Sequence, residues 1–316
     1  MSNLIIQGTS QIDVRELNIE RLLQEFYASL DVSKQTIKTY RKGINNFIRW
    51  VRDNDIHTLD KKVMLRYKEY LIDTYEDTTA STYLSGVRNL FNFLEELGIP
   101  NIMRNIKGIP ISKEFRKQPL SKQQAIKVKL GKEVKLITLK DYRDYAIYCL
   151  LLYNGLREIE LHRANKTDIK RQGDKIIMRI QGKGKKGKTQ IIVLTDSVLI
   201  PLLAYLDKRG KDKHDALFIG LASNQYGTRL TTDSIGRIIK KMFVENGYIS
   251  RDLTAHSLRH TAITNVLKGG GDLQKAKVFA RHSDINTTLI YSHNLDRIKD
   301  APEYYVEKYL NSEDSE

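Results

Sequence analysis

The chain has 316 residues, and a hydrophobic content of 41% is enough for a sizeable core, which excludes fibrous and disordered classes. Lysine and arginine number 53 against 38 acidic residues, a formal charge of +15 that directs the search for function to a polyanion, either nucleic acid or an anionic membrane. The single cysteine, Cys149, cannot close an intramolecular disulfide and fits a reducing cytoplasm. The apolar run around it, Ala146 to Tyr153, has eight residues, against the ~20 that a membrane-spanning helix needs. The start, MSNLIIQGTSQIDVRE, lacks the pattern of a signal peptide, so a soluble protein that is not exported is expected.

In chain order, Leu22 to Leu30 predicts a short helix. Ser33 then stands as an N-cap before a long amphipathic helix whose stripe is Ile37, Tyr40, Ile44, Phe47, Ile48 and Val51. Further helices are predicted over Val63 to Ile72, after Asp60, and over Thr79 to Leu97, which stops at Gly98 and Pro100. Residues 1–105 thus form a helical domain. Beyond it the periodicity fades, Pro110 and Pro119 interrupt it, and Lys107, Lys113, Arg116 and Lys117 add charge, which predicts a basic linker over 106–119.

The second domain, 120–316, opens with helices over Lys140 to Tyr153 and Arg157 to Ala164. The period then becomes strand-like in Lys175 to Gln181 and Thr189 to Leu194, which enclose GKGKKGK as a hairpin with the long loop Gly182 to Lys188. Helices resume over Val198 to Leu206, Thr232 to Glu245, Ser257 to Leu267, Leu273 to Arg281 and Thr287 to Tyr291. The class is mainly α with a small β-sheet. The acidic end NSEDSE is biased enough to expect disorder.

Four stretches carry candidate chemistry. Arg157 in YNGLREIEL follows Gly155 and opens a helix, where free N–H groups and the dipole favour an anion, although a solvated surface arginine has the same local sequence. His256 and Arg259 in TAHSLRHT are three apart, so one ligand could touch both, whereas His260 is assigned to another direction of the helix and a structural role. The loop RIQGKGKKGKTQ carries Arg179, Lys183, Lys185, Lys186 and Lys188 without an acidic residue. It is either a solvated loop or a finger that enters a DNA groove and brings an ammonium, Lys183 first among them, to a phosphate oxygen. In ARHSDINTTLIYSH, His282 precedes Tyr291 by nine residues, and Tyr291 by itself would be a core tyrosine.

The order Arg, Lys, His-x-x-Arg, His, Tyr at these separations resembles the tyrosine recombinase family, of the lambda integrase and Xer type, and the match spans nearly the whole chain. The resemblance implies a two-domain DNA clamp in which SKQTIKTYRKGINNFIRWV begins an N-terminal helical core-binding (SAM-like) domain and Leu120 onward forms a mixed α/β catalytic domain with a C-terminal tail. It assigns Arg157, Lys183, His256, Arg259, His282 and Tyr291 to the catalytic set, and Glu160 to its hydrogen-bonded support. It also points to Lys34, Lys38, Tyr40, Arg41, Lys185, Lys186 and Lys188 as DNA contacts. Lys185 and Lys186 could reach the same oxygen as Lys183. Where the family often has Leu-Gly-His, this chain has Ala280, Arg281 and His282, so a different local turn is expected there.

The resemblance implies strand exchange. Tyr291 would attack a phosphodiester while Arg157 and Arg259 stabilise the charge, and His256 would accept the phenolic proton or bond a phosphate oxygen. His282 would donate to another phosphate oxygen, and lysine would protonate the departing 5′ oxygen. No cofactor and no metal are expected. The expected partners are a double-stranded DNA recombination site, a second copy on each site and four copies in a synapse that passes through a Holliday junction, with no membrane and no accessory protein legible. The site of action is the cytoplasm, at the nucleoid. The tail residues Tyr304, Tyr305, Val306 and Tyr309 are spaced as a helix that docks either on a neighbour or on its own domain. A type IB topoisomerase-like enzyme and a catalytically silent DNA-binding regulator of the same fold are the rival readings. The N-terminal helical pattern weighs against the first and the complete residue set against the second. Target sequence and biological role, whether chromosome-dimer resolution, element integration or inversion, are not legible.

Overall fold

A computed structural model describes residues 11–111, 119–182, 184–292 and 303–310. The chain divides into two units, residues 1–114 and 115–316.

In the first unit the elements run β1 (Ile12–Asp13), α1 (Ile19–Ser29), α2 (Lys34–Asp53), β2 (Thr58–Leu59), α3 (Lys61–Thr74) and α4 (Asp77–Glu96). Each of the first three helices begins where a polar side chain caps it. Asn18 accepts from the Arg21 N–H, Ser33 from Thr36 and Asp60 from Val63, which satisfies donors the helix cannot pair itself. The α2 stripe buries Ile44, Phe47 and Trp50 against Tyr67 of α3 and Phe91 of α4, while the short β1–β2 pair closes one end. Ile106 and Ile109, at the start of the stretch expected as linker, are buried in this core. The linker residues Lys113, Arg116 and Lys117 lie outside the described residues.

Helices α2 and α4 approach closely because each presents a glycine to the other. A Cβ on Gly43 would come within 2.8 Å of the Tyr83 Cα, and one on Gly86 within 3.3 Å of the Tyr40 Cα. Neither neighbour is a side chain that can swing away.

The second unit runs α5 (Lys122–Glu133), α6 (Leu139–Asn154), α7 (Glu158–Arg163), β3 (Ile169–Gln172), β4 (Lys175–Ile180), β5 (Gln190–Val193), α8 (Asp196–Arg209), α9 (Thr232–Glu245), α10 (Ala255–Lys268), α11 (Leu273–Ala280), α12 (Asn286–Ser292) and α13 (Glu303–Leu310). The expected hairpin is β4–β5, with Met178 opposite Ile192 and Ile180 opposite Gln190, and β3 adds a third antiparallel strand to its other side. Helix α6 is buried nearly all round, as its almost uninterrupted apolar run requires, and burial pushes the Cys149 thiol up to about 12. A smaller cluster joins Ile263 of α10, Ala276 and Ala280 of α11 and Tyr291 of α12. Helix α13 spans the expected tail spacing, with Tyr304, Val306 and Leu310 exposed, while the end NSEDSE lies outside the described residues. Among the described residues no helix is long and apolar enough to cross a membrane.

Alanine is the better helix former, yet Gly43→Ala should lower stability by about 1–3 kcal/mol, because the α2–α4 approach has no room for a methyl group. Denaturant unfolding measures this, and a more stable variant would contradict the packing described.

Candidate active site

Helix α6 ends at Gly155 in the left-handed conformation, φ 55°, where an added Cβ would meet the Phe279 ring at 2.9 Å. The tight turn delivers Arg157 to the N-cap of α7. There its backbone N–H donates to Glu160 Oε2 at 2.8 Å and its Nη1 to Glu160 Oε1 at 2.9 Å. Glu160 is completely buried, whereas the Arg157 side chain keeps 25% exposure. The guanidinium is thus held from behind and remains open to a ligand.

Helix α10 supplies His256, Arg259 and His260. Arg259 is 1% exposed and donates to the carbonyl oxygens of Gly155 and Ala280, which fixes its head beside the turn that carries Arg157. His260 does not point away from the site as expected. Its ring lies 4.4 Å from that of His256 and 5.1 Å from that of Tyr291, because residues four apart on a helix share a face. Helix α11 ends at Arg281, also left-handed with φ 57°, so the turn before His282 has a conformation that suits glycine although an arginine occupies it. His282 comes next, with Nδ1 2.9 Å from the buried Thr288 Oγ1 and its ring stacked 6.1 Å from Tyr291.

Arg157, Glu160, His256, Arg259, His282 and Tyr291 are therefore gathered from α6–α7, α10 and α11–α12 into one place, together with His260, expected to face elsewhere, Arg281, expected only as a departure in the turn, and Thr288, which the sequence reading did not single out. Arg281 Nη2 donates to Glu160 Oε2 at 3.0 Å and to the Gly155 carbonyl at 2.9 Å. Lys183 lies outside the described residues. Beside it, the Gly182 carbonyl accepts from Arg163 of α7 at 3.1 Å, Lys185 and Lys186 are exposed, and Lys188 is ion-paired with Asp168. In the first unit Lys34, Lys38 and Arg41 are exposed along α2, with the Arg41 guanidinium 4.7 Å from the Tyr27 ring centre. Tyr40 packs half-buried against the core.

Electrostatics follow from this crowding. Burial alone would raise the Glu160 carboxyl, but Arg281, then the Arg157 N–H, then Arg259 and the Arg157 guanidinium hold it below its ordinary value. Arg259 falls to about 9, first through desolvation and then through repulsion by Arg157 and Arg281. Desolvation and the same three arginines bring His282 down to about 4, which leaves it neutral at pH 7. Burial pushes the Tyr291 phenol up to about 12, against the pull of Arg259 and Arg157, which favour its anion. Such a pocket suits a group that brings negative charge next to a phenol. Among the described residues no cluster of His, Cys, Asp and Glu could hold a metal ion.

Residues 128–297 match the phage integrase family, and residues 19–98 match the phage integrase N-terminal SAM-like domain. The chain is similar to tyrosine recombinase XerD of Oceanobacillus iheyensis, with 28% identity over 305 residues that cover 91% of this chain and 98% of the relative. It is also similar to tyrosine recombinase XerC of Chlamydia muridarum, with 30% identity over 239 residues, 74% of this chain and 72% of the relative. Its fold is that of XerH recombinase in a post-cleavage complex with palindromic difH substrate, at a TM-score of 0.70 and 20% identity over 89% of this chain and 83% of that one. A lambda integrase dimer bound to a COC′ core site shares it too, at a TM-score of 0.67 and 15% identity over 90% and 79%. The chain belongs to the phage integrase family, the tyrosine recombinases, whose activity is site-specific DNA recombination.

Because the folded pKa of Glu160 lies below its ordinary 4.5, the carboxylate stabilises the fold fully above that value, and the contribution is lost as pH falls through the folded pKa. Glu160→Gln should therefore reduce stability at pH 7 and lose less than the wild type on acidification to pH 4. Thermal midpoints at the two pH values measure this, and an equal acid loss in both proteins would contradict it.

Proposed function

We propose that the chain cleaves and rejoins double-stranded DNA at a specific site through a 3′-phosphotyrosine on Tyr291, and that exchange of the four strands passes through a Holliday junction. The observation that carries this reading is the burial of the Tyr291 hydroxyl in the field of both Arg157 and Arg259, with the rings of His260 and His282 against its own. The phenol oxygen attacks the phosphorus and the bond to the 5′ oxygen breaks, so the phosphodiester energy is retained in the new ester. Arg157 and Arg259 stabilise the nonbridging oxygens of the transition state, and their fixed geometry spares reorganisation when charge develops there. His256 takes the phenolic proton or bonds a phosphate oxygen. His282, neutral at pH 7, acts through an N–H whose position depends on its contact with Thr288. Lys183, or Lys185 or Lys186 of the same loop, protonates the departing 5′ oxygen. Attack by the 5′ hydroxyl of another strand reverses the steps and joins the new partner.

The excess of 53 basic over 38 acidic residues supports phosphate contacts by both units, with Lys34, Lys38, Arg41, Lys185 and Lys186 exposed for the purpose. Lys188 would have to leave Asp168 to join them, and Tyr40 contributes through packing. Lambda integrase is bound as a dimer to its core site and as a tetramer to a Holliday junction, which supports two copies of this chain per site and four per synapse. The exposed apolar residues of α13 supply a surface for contacts between copies. Similarity over 98% of a XerD supports an Xer-type enzyme that acts on chromosomal DNA in the cytoplasm.

On a DNA substrate nicked beside the cleavage point, the wild type should form a covalent adduct that Tyr291→Phe does not form, and an unchanged adduct in that variant refutes the nucleophile. Arg157→Ala should bind DNA within a few-fold of the wild type and cleave about 10²–10³ times more slowly, the range typical for loss of one donor to a developing oxyanion. Parallel loss of binding and cleavage would make Arg157 an anchor and not a transition-state group.

A further inference from the structure

Arg281 stands at the C-cap of α11 with φ 57°, a conformation that costs a side chain with a Cβ and that glycine adopts freely. Its side chain is only 6% exposed, so it is withdrawn from any ligand in solution, and a buried guanidinium needs many partners. It has them. Nη1 donates to the carbonyls of Phe279 at 2.7 Å and Asn154 at 3.3 Å, and Nη2 to the Gly155 carbonyl at 2.9 Å and Glu160 Oε2 at 3.0 Å. Phe279 belongs to its own helix, whereas Asn154 ends α6, Gly155 lies in the turn that leads to Arg157, and Glu160 lies in the α7 that Arg157 caps. The next residue in the chain is His282, and α12 with Tyr291 comes after it.

We propose that Arg281 is a positioning residue for strand cleavage: it ties the turn that leads to His282 and Tyr291 to the buried Glu160 that holds Arg157, so that nucleophile and phosphate-binding arginine keep one geometry. The inference rests on the reading of Tyr291 and Arg157 as cleavage residues. A plain turn residue would need neither the charge nor the contact with Glu160. The charged groups that face Glu160 are Arg157 from the start of α7, Arg259 from α10 and Arg281 from the turn after α11, and Arg281 does most to keep the carboxylate ionised against burial. Loss of Arg281 therefore weakens the hold on Arg157 most at low pH, where Glu160 takes up a proton first.

The test is the single-turnover rate of adduct formation on the nicked substrate, from pH 5 to 8, for Arg281→Gly and Arg281→Lys beside the wild type, with DNA affinity and thermal midpoint measured on each. Arg281→Gly suits the backbone. It should bind DNA as the wild type does, form adduct at least tenfold more slowly at pH 7, and lose activity on the acid side at a higher pH. Arg281→Lys keeps the charge with fewer donors and should lie between the two in rate, with an acid limb near that of the wild type. Rates within twofold and an unmoved acid limb in the glycine variant would overturn the proposal. So would a slow glycine variant whose acid limb stays in place, since that is the mark of a structural role alone. If the glycine variant does not fold, Arg281→Gln, which removes the charge, decides by the same readouts: a slower rate with the acid limb moved up at unchanged DNA affinity supports the proposal, and a wild-type rate or an unmoved acid limb overturns it. Tyr291→Phe in parallel separates the two failures: an adduct that persists without the phenol rejects the nucleophile and with it the premise of this proposal, whereas loss of the adduct in that variant leaves the Arg281 rates and acid limb to decide the tie alone.

Discussion

The carboxylate of Glu160, with no exposure to water, accepts hydrogen bonds from the Arg157 backbone, the Arg157 guanidinium and Arg281, and so joins two turns separated by more than a hundred residues of chain. A buried carboxylate is costly unless paired, and here the pairing also decides where Arg157 points. Arg259 adds a second tie to the same place, since its guanidinium shares the Gly155 carbonyl with Arg281. Other described residues of the candidate site are tied to these contacts: His256 and His260 lie on the helix of Arg259, and His282 and Tyr291 come after Arg281 in the chain.

Three guanidinium groups around one carboxylate leave a surplus of positive charge in a partly dry pocket. Arg259 is accordingly easier to deprotonate than an arginine in water, and His282 stays neutral. In the proposed reaction a phosphodiester brings the missing negative charge, which is greater still in the transition state, so the site would be matched to the reaction more closely than to its own resting state. The phenol of Tyr291 is held protonated by burial, and Arg259 and Arg157 favour its anion. On the proposed assignment, phosphate binding and activation of the nucleophile therefore draw on the same charges.

Much of this is legible in the sequence because apolar stripes and caps are local. Ser33 with the α2 stripe, Asp60 before α3 and the strand period on either side of GKGKKGK all correspond to elements of the structure. Helix α5 is not: its stripe buries Ala125 and Val128 while Ile126 and Leu130 face solvent, so its amphipathic signal is weak. Strand β3 is hidden by its charged residues, Lys170 and Arg171, although Gly173 at φ 61° marks the turn into β4. The helical part of the candidate site is legible only through the resemblance to the tyrosine recombinase pattern, since Arg157, the His-x-x-Arg pair and Tyr291 taken singly each have a bland reading. The expectation for His260 fails because it underestimates how near this residue lies to His256 around the helix. Arg281 shows in the sequence only as an arginine where the family often has glycine; its contacts are not legible there, since its partners Glu160 and Gly155 are far away in sequence.

In the proposed reaction the Tyr291 oxygen becomes esterified to the 3′ side of a broken DNA strand among these arginines. Its most direct measure is mass spectrometry of the nuclease- and protease-digested protein–DNA adduct, joined to end-labelling of the released strand. The expected products are a nucleotide 3′-phosphate on the peptide that contains Tyr291 and a free 5′ hydroxyl on the other fragment. A nucleotide on Tyr304 or any other side chain, or a 5′ phosphate on the released end, would contradict it.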